Sequence, residues 1–186
     1  MGTEKALVDL AGKPLIEHVL DIVKPMFSQT LIITNQPEKY NYQGTRCVVD
    51  HQPDLGPMMG LYSGLCASGT DVNMLISCDM PFITPEAISL IISRLEGYDA
   101  AIPQLGGRLQ PLLAVYRQSC REHAWRLIES QHLAMHDLIS DIKVQVIYEE
   151  EFRSFADEPE LMAFSVNSPE DLEHARRLLS EKETDG

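Results

Sequence analysis

The chain has 186 residues, 44% of them hydrophobic, and a formal charge of -13. The length suits one domain spanning residues 1–186, and no apolar run reaches the roughly 20 residues a membrane-spanning helix needs. The acidic balance argues against nucleic acid as a partner, because phosphate backbones demand clustered Lys and Arg. It leaves room for a phosphorylated small molecule held by a few local cations. The N-terminus lacks a charged-then-apolar leader pattern, so the expectation is a cytoplasmic protein that acts on small molecules, without membrane contact.

Short apolar runs alternate with amphipathic stretches, which is the pattern of an α/β fold with a mostly parallel sheet. Residues Pro14 to Phe27 carry Leu15, Ile16, Val19, Leu20 and Val23 at helical spacing, with Pro14 suited to a first turn. Strands are expected at Thr30–Thr34, Arg46–Asp50 and Asn73–Cys78. Pro53 to Gly60 reads as a loop whose glycines permit close approach to a ligand, running into a helix at Gly60–Ser68. A helix is expected at Pro85–Leu95, with Ile88, Ile91, Ile92 and Leu95 inward.

Strands follow at Asp99–Pro103 and Leu112–Tyr116, helices at Gln118–Glu129 and Ala134–Ser140, and a strand at Lys143–Tyr148. The final helix is the best marked. Ser168 can cap it, Pro169 fits its first position and Asp171 completes a capping box ahead of Leu172, Ala175, Leu178 and Leu179. Glu181 to Gly186 reads as a frayed polar tail.

The run Leu75-Ile76-Ser77-Cys78-Asp79-Met80-Pro81-Phe82 reads as a buried strand ending in an aspartate, at the sheet edge where open α/β folds bind ligands. A carboxylate there suits Mg²⁺, a hard cation that takes one or two carboxylates plus substrate phosphates. Asn35 and Asp50 stand at the tips of two further strands, where Asn35 could meet a base or ribose and Asp50 could accept from a base amine. Any one of the three alone is an ordinary turn residue; together they point to one crevice. Gly106-Gly107-Arg108-Leu109-Gln110 reads as a loop with a fork-donating arginine, or equally as a hairpin turn with a surface arginine. Cys47, Cys66, Cys78 and Cys120 show no metal or disulfide spacing, and His132 and His136 lack a third ligand.

Lys5-Ala6-Leu7, Leu10-Ala11-Gly12-Lys13-Pro14-Leu15-Ile16, Val48-Val49-Asp50, Gly56-Pro57-Met58-Met59-Gly60-Leu61, Ser77-Cys78-Asp79-Met80-Pro81, Arg108-Leu109-Gln110-Pro111-Leu112 and Val166-Asn167-Ser168-Pro169-Glu170-Asp171-Leu172 follow one another in an order and spacing that resembles the molybdenum-cofactor guanylyltransferases. These are the MobA family, GT-A-like nucleotidyltransferases with a Rossmann-like three-layer fold. The resemblance covers nearly the whole chain. It implies transfer of GMP from GTP to molybdopterin with release of pyrophosphate, dependent on Mg²⁺. By position, Lys5 would meet the nucleotide phosphates, Asp50 the guanine or ribose and Asp79 the Mg²⁺. Asn35 falls in the guanine-contact region, Asn167 supports the metal or product side, and Arg108 and Gln110 lie where the family meets the pterin. Proteins that deliver or receive the cofactor are implied partners, with a monomer or homodimer as the acting form.

The sequence departs from the family at its start. Members open with a strand and a loop of the form L-A-G-G-x-S-x-R-M-G-x-x-K, and Met1-Gly2-Thr3-Glu4-Lys5 matches only the end of that signature. The expectation is a sheet with a gap flanked by unpaired backbone groups, unless residues precede Met1 or the sheet is repaired in another way, such as dimerisation. Ser165 stands where many relatives place a second asparagine. Two other readings stay open: a non-catalytic relative that keeps the pterin side, and a nucleotidyltransferase with another nucleotide or acceptor.

Overall fold

The computed structural model describes residues 5–184, opening with a 3-10 turn at Lys5–Leu7. β1 (Asp9–Leu10) and β2 (Lys13–Pro14) form a hairpin closed by Ala11 and Gly12 at φ +56° and +81°, the left-handed geometry of a two-residue turn. α1 (Leu15–Met26) follows and buries the five apolar residues expected from its spacing. Next come β3 (Thr30–Ile33), β4 (Thr45–Val48) and α2 (Gly56–Ala67). The helix begins four residues earlier than the sequence suggests. Pro57 fits a first helical turn, and Gly56 at φ +73° makes the bend into it, so most of the expected loop is helix.

β5 (Val72–Ile76) leads to α3 (Pro85–Ser93), whose start is capped by Thr84 Oγ1 accepting from the Ala87 amide at 3.3 Å. β6 (Ala100–Leu105) and β7 (Arg108–Leu109) form a hairpin around Gly106 and Gly107, both with positive φ. β8 (Leu113–Arg117), α4 (Cys120–Glu129), α5 (Met135–Asp141), β9 (Val144–Tyr148) and the short α6 (Glu149–Phe152) follow. The last helix, α7 (Pro169–Thr184), carries the expected capping box: Asp171 accepts from the Asn167 and Ser168 amides, and Ser168 Oγ accepts from the Asp171 amide. It continues through Glu181, where a frayed tail was expected; residues 185 and 186 lie outside the described residues. Among the described residues no helix is long and apolar enough to cross a membrane.

β3 and β4 pair in parallel, as do β6 and β9. β5 and β6 each pair antiparallel with β8 and so run the same way as each other. Arg46 at the start of β4 bonds the carbonyl of Ala67 at the end of α2, while His51 beyond β4 bonds Ser63 in mid-helix. Thus α2 runs back along β4, and β5 sets out from the edge where β4 begins. Five strands therefore share one direction, with β8 and the short β7 opposed.

Helices cover both faces in three layers. Ala101 and Val115 pack with α1 and α3, whereas Ala100, Ile102, Ala114 and Tyr116 pack with α2, α4 and α5, which is the period-two alternation of strands buried on both sides. The sheet is nevertheless split. β3 and β4 form one piece and β5, β8, β6, β7 and β9 the other. Between β3 and β5 lies a cavity of about 870 Å³, walled by those two strands and by α1 and α2. Among the described residues, the edges of β3 and β5 that face it have no strand partner. This is the gap expected from the sequence.

Candidate active site

The strands of shared direction all end on one edge, and the candidate residues gather there. Asp79 stands in the turn beyond β5, three residues past Ile76, rather than at the strand tip; the Met80 amide bonds the Ser77 carbonyl across this turn. Ser77 Oγ donates to Asp79 Oδ1 at 2.5 Å, a short charge-assisted bond that fixes the carboxylate. The Asp79 carbonyl accepts from the Val166 amide at 3.0 Å, which brings the segment before α7 over the turn. Next in that segment, Asn167 receives the Lys5 ammonium on its Oδ1 at 2.8 Å. Residues distant in sequence thus converge: Lys5 from the chain start, Asp79 from mid-chain and Asn167 near the end.

Asn35 and Asp50 form a second group, beyond the ends of the paired strands β3 and β4. Burial raises the pKa of Asp50 above the usual carboxylate range; the nearby Ser63 hydroxyl, His51 and the Asn35 side chain oppose that rise. Asp50 Oδ1 is buried and has no hydrogen-bond partner. His51 is braced edge-on against Tyr62, with ring centroids 5.2 Å apart, and Tyr62 stacks on Trp125.

Arg108 and Gln110 belong to the β6–β7 hairpin, which rises from the same edge as Asp79. Tyr116, fully buried in β8, donates its hydroxyl to the Pro111 carbonyl at 2.8 Å and anchors the hairpin's base. Glu149 accepts from the Gly106 amide at 2.8 Å and steadies the turn. The Gln110 amide donates to the Leu105 and Arg108 carbonyls, so it braces the hairpin. Arg108 is exposed. β7 lies on the edge of β6 that β8 also occupies, which sets Arg108 in line with β8, the neighbour of β5.

The structure therefore brings Lys5, Asp79 and Asn167 together, places Asn35 beside Asp50 across the cavity mouth, and puts Arg108 and Gln110 on the same edge. Sequence reasoning missed Ser77 and Ser63. Ser77 is hidden inside an apolar strand pattern. Ser63, four residues after the buried Met59 on α2, could have been flagged as a polar residue at core spacing.

Among the described residues, no three His, Cys, Asp or Glu side chains cluster as a metal site. The carboxylate of Asp79 and the amide oxygen of Asn167 are hard donors. That sparse set fits a cation which completes its shell with water and substrate phosphates, the habit of Mg²⁺. His132 and His136 both lie against Asp137. The thiol of Cys120 is pushed up to about 12 by burial, so it is inert.

A family model described as the MobA-like NTP transferase domain matches residues 1–145. A probable molybdenum cofactor guanylyltransferase of Pelotomaculum thermopropionicum is 33% identical over 184 residues, covering 99% of this chain and 89% of the relative. One from Natranaerobius thermophilus is also 33% identical, over 98% of this chain and 92% of its own length. The crystal structure of molybdopterin-guanine dinucleotide biosynthesis protein A from Archaeoglobus fulgidus superposes with a TM-score of 0.84 at 29% identity, covering 97% of this chain and 92% of that one. A Thermus thermophilus 2-C-methyl-D-erythritol 4-phosphate cytidylyltransferase, 16% identical over 95% of this chain and 94% of that one, shares the fold with a TM-score of 0.73.

Proposed function

This chain belongs to the MobA-like NTP transferase family, and we propose that it transfers GMP from GTP to molybdopterin, forming the guanine dinucleotide cofactor and releasing pyrophosphate. The observation that carries this reading is the convergence of Lys5, Asp79 and Asn167 on one edge, with Asp50 and Asn35 on the same edge across the cavity mouth. In the reaction the terminal phosphate of molybdopterin attacks the α-phosphorus of GTP. A new P–O bond forms, the α–β P–O bond breaks, and pyrophosphate leaves with the electron pair.

Such an in-line displacement needs positioning and charge neutralisation more than a protein nucleophile. Lys5 supplies a mobile cation to the phosphates; its present partner is a neutral amide, so it can be redirected at little electrostatic cost. Asp79 and Asn167 would hold Mg²⁺, which when bound offsets charge on the phosphate oxygens. Ser77 keeps the Asp79 carboxylate in one orientation. Asp50 and Asn35 receive the base, and Arg108 meets the pterin phosphate or its carbonyl-rich ring, while Gln110 sets the hairpin's shape. The whole chain acts as one domain. Its four cysteines are free thiols, in keeping with the reducing cytoplasm.

The test is to incubate the protein with molybdopterin, Mg²⁺ and each of GTP, ATP, CTP and UTP, and to follow pyrophosphate and the dinucleotide product. Product with GTP alone supports the reading. Equal turnover with CTP or UTP moves the chain to another nucleotidyltransferase activity, and nucleotide binding without product makes it a binding relative.

A further inference from the structure

Ser63 is the polar side chain that the fold buries completely among the described residues. It sits on α2 among apolar neighbours, where a hydroxyl costs free energy unless it is bonded. Its oxygen accepts from the His51 amide at 3.1 Å. The hydroxyl proton is then free to be donated, and the acceptor in reach is the Asp50 carboxylate. Asp50 as a whole is half-buried, yet its Oδ1 is fully covered and unpaired. An unpaired buried acceptor carries a desolvation penalty. A proton donated by Ser63 from the covered side of the carboxylate answers that need and leaves the outer oxygen to face a ligand.

We propose that Ser63 is a positioning residue for base selection, holding the inner edge of Asp50 so that its outer oxygen accepts from the N1–H and 2-amino group of guanine. The inference rests on the guanylyl reading above and extends it to a residue that touches no substrate. It also explains selectivity. A carboxylate accepts only, so it pairs with the donor-rich edge of guanine, whereas adenine presents an acceptor at N1. The groups facing the Asp50 carboxyl are Ser63 from α2, Asn35 beyond β3 and the adjacent His51, each of which favours its ionised form.

The experiment compares wild type with Ser63→Ala by calorimetric titration with GTP, inosine triphosphate and ATP across a pH series. Expected for Ser63→Ala are a loss of GTP affinity of about tenfold, a narrower preference for GTP over the other two, and an acid limb of GTP binding moved to higher pH. That direction follows because removing a bond to the ionised carboxylate raises its pKa. Ser63→Cys, which keeps the size and a weaker donor, should fall between the two and serves if Ser63→Ala does not fold. Unchanged affinity, preference and acid limb would overturn the proposal and leave Ser63 a packing residue. If wild type does not bind GTP, the guanylyl reading fails. Carbon-detected NMR titration of Asp50 then still reads Ser63 directly: a midpoint higher in the variant supports the positioning role, and an unmoved one rejects it.

Discussion

The two sides of β5 are built differently. On the β8 side, Leu113, Ala114, Val115 and Tyr116 are all buried and β6 buries Ala100, Ala101 and Ile102 completely. On the other side, β3 buries only Ile32, and β5 itself is half-buried along Met74, Leu75 and Ile76 despite an equally apolar sequence. The residue types hardly differ; the neighbours do. A strand with partners on both edges and helices on both faces excludes water from every side chain. A strand whose free edge opens on a cavity keeps contacts on one side and forfeits them on the other. The candidate site straddles this border, with Asp79 on the packed side and Asp50 on the open one.

The largest effect expected across that border is chemical. Asp79→Ala should lower guanylyl transfer by about 10²–10³-fold while leaving the melting temperature nearly unchanged, because the carboxylate serves charge rather than packing. An active variant would remove Asp79 from the reaction.

A matched pair of core truncations measures the contrast itself. Ile102→Ala, on the packed side, should cost about 3 kcal/mol in urea unfolding, and Ile33→Ala, beside the cavity, about 1 kcal/mol. Equal costs would mean that the open side is as well packed in solution as the closed one. A chemical effect smaller than that of Asp79 belongs to the exposed hairpin. Arg108→Ala should raise the KM for molybdopterin about tenfold with that for GTP little changed; equal losses for both substrates would move Arg108 away from the pterin.

Much of this was legible in the chain. The buried face of α1, the capping box of α7 and the shared direction of the main strands follow from apolar spacing and cap chemistry, which are local and act within a turn or two. The start of α2 was misread because Gly56 and Pro57 serve a loop and a first helical turn equally well. The β1–β2 hairpin went unseen because each strand is two residues long, too short for alternation to register.

Residue type and order carry the α/β class, the family resemblance and the choice of Lys5, Asn35, Asp50, Asp79, Arg108 and Asn167 as candidates. Packing alone brings Lys5 onto Asn167, Ser77 onto Asp79, Ser63 onto the His51 amide next to Asp50, and Gln110 onto its own hairpin. Those contacts join residues through hydrogen bonds whose geometry depends on how layers stack and which strand lies beside which, and no local pattern along the chain encodes that.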